Sequence, residues 1–403
     1  MRRRLSPAAF VLACVAAACA GAGFAAVTRH SASALAASEP PLTVRGDVPE
    51  WRAPGVRVPL TGFAGSSERV TLRVNGRVVD STVTGRLGRW RLSFTTGKPG
   101  PYRLRVAAAD RVRLLGTLRV RPVELEAVGD ITFGEQVGPA ITRYGAAYPW
   151  RLVAPTLRRA DITVGNLETS VSERGTAAVK KYTFRGVPSA LKPLHTLAGF
   201  DVLTLANNHT VDYGKDALLD TVRAVHAAGM LSIGAGATSA RARRPAILVE
   251  GGLRVALLGY SDVNPLGFSA TASSPGTAKA DVAAIDADVR AARRRADVVV
   301  CFFHWGTELH PDPDARQGML ADACVRSGAS VVLGAHPHVL GAVTRPTPRT
   351  LVAWTLGNFV FPSSGATART AILRVELGAS GVSGYRMVPV VIDGFRPRLA
   401  GSA

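Results

Sequence analysis

Two histidines two residues apart, His336 and His338 in the run VVLGAHPHVLG, are the first residues of this chain whose types and spacing suit chemistry. Side chains of an extended segment alternate faces, so both imidazoles face one way, and Pro337 between them fixes its own φ and resists a helix. Two neutral ring nitrogens aimed at one point are the start of a metal site. Taken alone, the pair also fits a loop whose histidines bond to backbone, and the rest of the chain decides between the two.

Seven apolar, β-rich runs occur at residues 123–130, 161–168, 201–209, 255–262, 297–306, 330–338 and 350–359. Nearly all end in a residue that can bind a cation, and the set is Asp130, Glu168, Asn208, His209, His304, His336 and His338. Ala/Arg/Leu stretches of helical period lie between the runs, which is the grammar of an α/β fold. The clearest are a helix expected to end at Gly229, and one that follows Pro311-Asp312-Pro313 and stops at Gly328. Loops leaving the carboxyl ends of such strands meet in one crevice, so the seven side chains are expected to converge there. Buried Asp, Glu and His without partners cost several kcal/mol each, which a shared cation offsets. Mixed carboxylate, amide and imidazole donors suit Mn, Fe or Zn, as one or two ions, better than Ca. Such an ion acidifies water and polarises a phosphoryl or carbonyl oxygen.

Other residues carry two readings each. Glu308, in HWGTE, is either a carboxylate that orients a catalytic histidine or a surface acid. Asn358 contacts substrate or caps a turn, and Asn207 contacts substrate or braces its loop. Asp262 reads as a loop residue, and His195 and His226 as ordinary helix residues.

The elements that must position this set come from the rest of the chain. With 403 residues, 47% of them hydrophobic, the chain can bury cores for two or three domains and is not disordered. Residues 1–37 open with three arginines and an apolar stretch, the form of an export signal. Either it is cleaved at a small-x-small site such as Ala34-Leu35-Ala36, or its ~20 apolar residues stay as a membrane anchor. Cys19 lacks the larger aliphatic residue three positions earlier that lipid attachment uses, since Ala16 stands there. Of the later cysteines, Cys301 and Cys324 either pair or remain buried thiols.

Residues 42–122 alternate apolar residues with arginine between turn residues, as in RVTLRV and RWRLSF, and read as a small antiparallel immunoglobulin-like sandwich. Between residues 43 and 121 stand 16 Lys and Arg against 5 Asp and Glu, a large part of the formal +20. Their outward face would attract anionic polymers, or simply solvate the sheet. No basic motif interleaved with aromatics argues for nucleic acid, and none is expected as a partner.

The motifs AVGDITFG, GNLETSV, LANNHTVDYG, FFHWGTELHPDP, VVLGAHPHVLGAV and WTLGNFVF, in this order, resemble the bacterial capsule-synthesis CapA family, the poly-γ-glutamate accessory proteins. That family is similar to the calcineurin-like metallophosphoesterases. The resemblance covers residues 123–392 and implies a four-layer α/β/β/α sandwich over residues 123–398. It implies Asp130, Asn208, His304, His336 and His338 as metal ligands, Glu168 in place of a bridging aspartate, and His209 with Asn208 at the catalytic step. Thr132 stands where phosphoesterases have histidine, which puts the second metal position in question.

The function expected is that of an exported protein on the extracellular face of the membrane or in the envelope. It would help make, export or anchor an anionic polymer such as poly-γ-glutamate, alongside membrane-bound capsule-synthesis proteins, through a metal-dependent hydrolase-type site. A non-catalytic polymer-binding accessory and a secreted metallophosphatase stay open as alternatives.

Overall fold

The computed structural model describes residues 40–401. The segment expected to direct export, with Cys14 and Cys19, therefore lies outside the described residues. Among the described residues no helix is long and apolar enough to cross a membrane.

Alternation shapes the N-terminal part. In Arg89–Thr95 the sequence RWRLSFT buries Trp90, Leu92 and Phe94 and leaves Arg89 and Arg91 outside, the period of a sheet with one wet face. Two sheets result. One orders Thr43–Arg45, Arg57–Phe63 and Arg89–Thr95; the other orders Trp51–Arg52, Arg111–Val120, Gly100–Ala108, Arg69–Val74 and Arg77–Val83. Their inward side chains share one cluster around Leu60, Leu72, Trp90, Leu104 and Leu118. Ala53 and Val56 instead join the core of the following part. Arg121 fixes the junction, with both arms on Asp161 at 2.6 and 2.8 Å and its guanidinium 3.7 Å from the Trp51 ring.

After residue 122 the central strands are buried end to end, as in Ile162–Leu167 and Val298–His304, so these need cover on both faces. An eight-stranded sheet orders Leu231–Ile233, Val202–Thr204, Ile162–Leu167, Val123–Ile131, Arg369–Gly378, Gly381–Asp393 and Arg396–Leu399, and Asn358–Val360 also pairs with Val123–Ile131. A six-stranded sheet orders Ala246–Glu250, Leu253–Ser261, Val298–His304, Val331–Ala335, Leu351–Ala353 and Val343–Thr344. Leu125, Val164, Leu257, Val300 and Leu333 fill the space between the sheets. Helices Val137–Tyr144 and Lys215–Ala227 cover the outside of the first sheet over Val128, Phe200 and Leu218. Helices Val282–Arg293 and Ala315–Ser327 cover the second over Leu258, Ile285 and Leu320. The layers therefore run helix, sheet, sheet, helix, a mixed α/β fold as the alternating runs led us to expect. Ala315–Ser327 starts at an Asp314/Gln317 capping box and stops at Gly328, whose φ of 108° only glycine adopts easily. Cys301 and Cys324 are free and buried in the outer layer of the second sheet.

Two runs differ from their expected form. Residues 201–209 hold strand only at Val202–Thr204, and Asn207, Asn208 and His209 lie in the loop beyond. Residues 350–359 are not one strand but two: Leu351–Ala353 pairs in the second sheet and Asn358–Val360 in the first. Gly357, at φ 66°, makes the crossing, and its carbonyl accepts the Asp130 amide at 2.9 Å. A Cβ on Gly129 would lie 1.7 Å from that oxygen, so the approach requires glycine there too. The crossing sets Asn358 level with Asp130 in the sheet.

Candidate metal centre

The carboxyl ends of strands from both sheets meet at one mouth of the fold. The first sheet brings Asp130, Asn166 and Glu168 and the loop with Asn208 and His209; the second brings His304, His336 and His338. Ligand-type atoms of Asp130, Glu168 and His304 lie within 4.8 Å of one another, as do those of Glu168, His336 and His338, with Glu168 common to both groups. Asn208 joins through its Oδ1, 2.8 Å from His304 Nε2, which is itself 3.3 Å from Glu168 Oε1. His209 Nε2 is 3.9 Å from the same oxygen. Atoms bound about 2.1 Å from one ion lie about 3 Å apart, so this spacing fits a shared cation.

The histidine pair converges by a route other than alternation. His336 and His338 have φ of 100° and 61°, left-handed rather than extended. Non-glycine residues held there store strain that the surrounding structure must hold, a recurrent feature of functional loops. The Asp130 carboxylate is one holder: its Oδ2 accepts the His336 amide at 3.2 Å and lies 3.4 Å from His338 Nδ1.

Most of these donors are braced. Asn166 donates from Nδ2 to Asp130 Oδ1 at 2.7 Å, and that nitrogen is 3.2 Å from His304 Nδ1. Its own oxygen accepts Asn207 Nδ2 at 3.0 Å. Asn207 spends its remaining capacity on the Leu167 carbonyl, the His209 amide and the Thr210 hydroxyl, so it braces the loop and has no hydrogen left for a substrate. Asn358 is likewise engaged: Oδ1 accepts His338 Nδ1–H at 2.8 Å and Nδ2 donates to Ser363, which orients that ring. Glu168 and His336 are the exceptions. Glu168 is fully buried, and neither carboxylate oxygen has a hydrogen-bond partner; His336 Nδ1 is also buried without one. Such atoms are rare in native proteins, and a divalent cation is the partner this donor set fits.

Four residues that sequence reasoning passed over complete the site. Asn166 lies two residues before Glu168, and period two on a strand signalled the shared face. Asp212, three residues after His209, accepts His209 Nδ1–H at Oδ2, 2.7 Å away, and turns Nε2 toward Glu168. Lys180 donates to Asp212 Oδ1 at 2.7 Å and to the Asn208 carbonyl at 2.6 Å, from a loop that no spacing in the chain ties to the site. Phe184 stacks on the His209 ring at 4.1 Å.

Glu308 does not join them. Between Gly306 and Leu309, both with positive φ, the loop carries Glu308 into solvent, and it reaches His336 only through its charge. Its catalytic reading therefore lacks a contact. Thr132 is buried, its hydroxyl accepts the Gly134 amide at 3.1 Å, and it belongs to neither donor group. Asp262 pairs with Arg316, and His195 bonds the Phe200 carbonyl; both stand apart from the donor groups.

Electrostatics set the protons. Burial, then the charge of Asp130, push the Glu168 carboxyl up to about 8. Burial works downward on His338, but its bond to Asp130 and the charges of Glu168 and Asp130 raise it to about 10. Burial raises Asp130, yet the bond to His338 and its charge outweigh this and hold it below the usual range. Burial, foremost, lowers His304 and His336 to about 3. At pH 7 the metal-free site thus holds a proton on Glu168 and an extra one on His338, both of which a cation must displace. Binding of Mn²⁺ at pH 7 is expected to release about two protons per site, read from calorimetric heats in buffers of different ionisation enthalpy.

The family described as "Bacterial capsule synthesis protein PGA_cap" matches residues 124–363. A PGA biosynthesis protein, CapA of Bacillus subtilis (strain 168), is 32% identical over 274 residues, 67% of this chain and 72% of that one. The capsule biosynthesis protein CapA of Bacillus anthracis is 33% identical over 285 residues, 68% of this chain and 69% of that one. Among solved structures, a phosphatase of Mycoplasma pneumoniae aligns with 67% of this chain and 94% of its own at 13% identity and a TM-score of 0.43, a loose likeness.

Proposed function

Since the chain belongs to the bacterial capsule synthesis protein PGA_cap family, we propose that it is an exported accessory of an anionic capsule polymer such as poly-γ-glutamate, with a metal-dependent hydrolase-type site. In this reading the N-terminal segment takes it across or into the membrane, where it works beside the synthesis proteins. Residues 42–122 form an immunoglobulin-like module and residues 123–398 a metallophosphoesterase-like domain.

One observation carries the chemistry: a buried carboxylate, Glu168, without a partner among imidazole and carboxylate donors within 4.8 Å. Asp130, Glu168, Asn208, His304, His336 and His338 would hold Mn, Fe or Zn, one ion or two. A bound ion supplies charge that polarises the scissile bond and acidifies water. The chain supplies the rest. His209 gives a proton from Nε2 to the leaving group, while Asp212 fixes the ring through Nδ1 and steadies the imidazolium. Phe184 excludes water from one ring face, and Lys180 holds Asp212 in place. Thr132 favours a second reading, a polymer-binding scaffold without turnover, because it offers no imidazole to the second metal position.

Metal content and turnover separate the two. The purified protein is expected to carry stoichiometric metal that the change of both His336 and His338 to Ala removes. His209→Ala should keep the metal but lose about 10²–10⁴-fold of the hydrolysis of an aryl phosphate or a γ-glutamyl amide. Metal without any turnover would leave the scaffold reading, and a stable protein that binds no metal would sink the metal-dependent site and favour the scaffold.

A further inference from the structure

A second concavity shares no lining residue with the metal centre. It is a cavity of about 580 Å³ at the open edge of the sheet pair, where Leu231–Ile233 ends the first sheet and Ala246–Glu250 ends the second. Helices Lys215–Ala227 and Ser239–Ala242 wall it. Its volume is within the roughly 300–1,000 Å³ of ligand pockets. Leu219, Val222, Ala246 and Ile247 give it an apolar lining, and Arg223, Arg241, Arg244 and Arg295 stand exposed around it. No Asp or Glu lines it.

The arginines differ from others in the fold. Arg243, in the same RARR run, turns away and binds Asp288 with both arms at 2.7 and 2.8 Å, and Arg254, Arg290 and Arg316 are paired with aspartates. Arg223 shares Asp220 with Arg174. The guanidinium groups of Arg241, Arg244 and Arg295 have neither hydrogen bond nor ion pair among the described residues. Three uncompensated cations that never deprotonate thus surround one apolar hollow, an arrangement that repels itself unless an anion enters.

We propose that this cavity binds a stretch of a polycarboxylate chain whose carboxylates alternate with short aliphatic segments. Poly-γ-glutamate has that chemistry: two methylenes of its main chain separate each α-carboxylate from the next amide. Guanidinium forks take the carboxylates two oxygens at a time, and the apolar lining takes the methylenes. No Phe, Tyr or Trp lines the cavity to stack a base, which disfavours single-stranded nucleic acid. The site grips product or substrate away from the reacting centre. The choice of ligand rests on the polymer reading above; the cavity and its charge do not.

The test is fluorescence anisotropy of a labelled poly-γ-glutamate oligomer with the full-length protein. Arg241→Glu combined with Arg244→Glu, both exposed and so harmless to the fold, is expected to weaken binding roughly tenfold or more and to flatten its salt dependence. Arg103→Glu with Arg105→Glu, on the N-terminal sheet, should change it far less. Equal binding by wild type and the 241/244 variant overturns the site and leaves the polymer reading intact. No binding by the wild type at low salt overturns both. A 241/244 variant that loses anionic phosphatidylglycerol vesicles but keeps the oligomer would assign the cavity to lipid and refute the proposal.

Discussion

Glu168→Gln is expected to lower affinity for Mn²⁺ by at least about a hundredfold while the metal-free protein stays as stable as wild type or becomes more so. Glutamine keeps the shape and removes the charge that the cation neutralises. The loss should exceed the ~10–100-fold typical of a residue that only supports a ligand. The second half of the prediction follows from burial. A carboxylate with no hydrogen-bond partner is costly to ionise, and in wild-type protein the cost shows as a pH dependence. The Glu168 carboxyl is pushed from an ordinary 4.5 to about 8, so the folded state holds its proton and loses stability as pH rises across that window. His338, raised from 6.5 to about 10, adds stability that is full below 6.5 and falls away above it. His304 and His336, lowered from 6.5 to about 3, act in the opposite sense: the unfolded chain takes up their protons first, so stability rises from pH 3 to 6.5. Below 6.5 the two lowered histidines outweigh Glu168, and above it Glu168 and His338 act together. Glu126, a second buried carboxyl raised from 4.5 to about 7, offsets what remains of that rise, so metal-free wild type should hold a stability plateau between about pH 4.5 and 6.5 and lose stability above it, and Mn²⁺ should lift the alkaline limb most. In Glu168→Gln that limb should be shallower and nearly indifferent to metal. Thermal unfolding from pH 4 to 9, with and without chelator, reads all of this; a variant whose metal response matches wild type would remove Glu168 from the site.

How much of this was legible follows from what each residue's position depends on. Asp130, Glu168 and His304 stand at ends of long buried runs, and a buried strand in an α/β sheet has one destination for its carboxyl end. Their meeting could be read from order alone. His336 and His338 were found for a reason the backbone does not use: the rings converge because both residues sit at positive φ, and a one-dimensional pattern does not display a left-handed loop. Asn166 was legible and passed over, since its spacing from Glu168 is that of one strand face. Lys180 was not, because the loop that carries it reaches Asp212 only in the closed fold. The same limit applied to the run at 350–359, where the turn at Gly357 exchanges one sheet for the other. In RARR, likewise, four adjoining residues gave no sign that Arg243 alone would find an aspartate, 45 positions later.

Behind the site one buried ion pair holds the central strand, and its two halves should fail differently. Arg374 faces Glu126 across adjacent strands and bonds its Oε1 through Nε at 2.7 Å and through Nη2, both side chains being buried. Glu126 lies four residues before Asp130 on the same strand. Glu126→Leu leaves a buried guanidinium that cannot shed its proton, with only Glu124 3.8 Å away, and is expected to cost about 3–5 kcal/mol at pH 5.5 and less at pH 8, because the raised Glu126 carboxyl already takes stability from wild type across that range. Arg374→Met leaves a carboxyl that can. Burial, only partly offset by Arg374, already raises Glu126 to about 7, and without the arginine it rises further. The Arg374→Met loss should thus run the other way, largest at pH 8 and shrinking toward pH 5.5, where Glu126 stays neutral. Combining Glu126→Leu with Arg374→Met removes both charges and should return stability to within about 1 kcal/mol of wild type, because well-packed apolar pairs commonly match buried ion pairs. Denaturant unfolding at the two pH values measures the cycle. Additive losses, or equal pH profiles for the two single variants, would show that the pair is not desolvated as the structure has it. Retention of Mn²⁺ affinity in the double variant would further show that the sheet positions Asp130 by its hydrogen bonds and core contacts, with no help from the charge beside it.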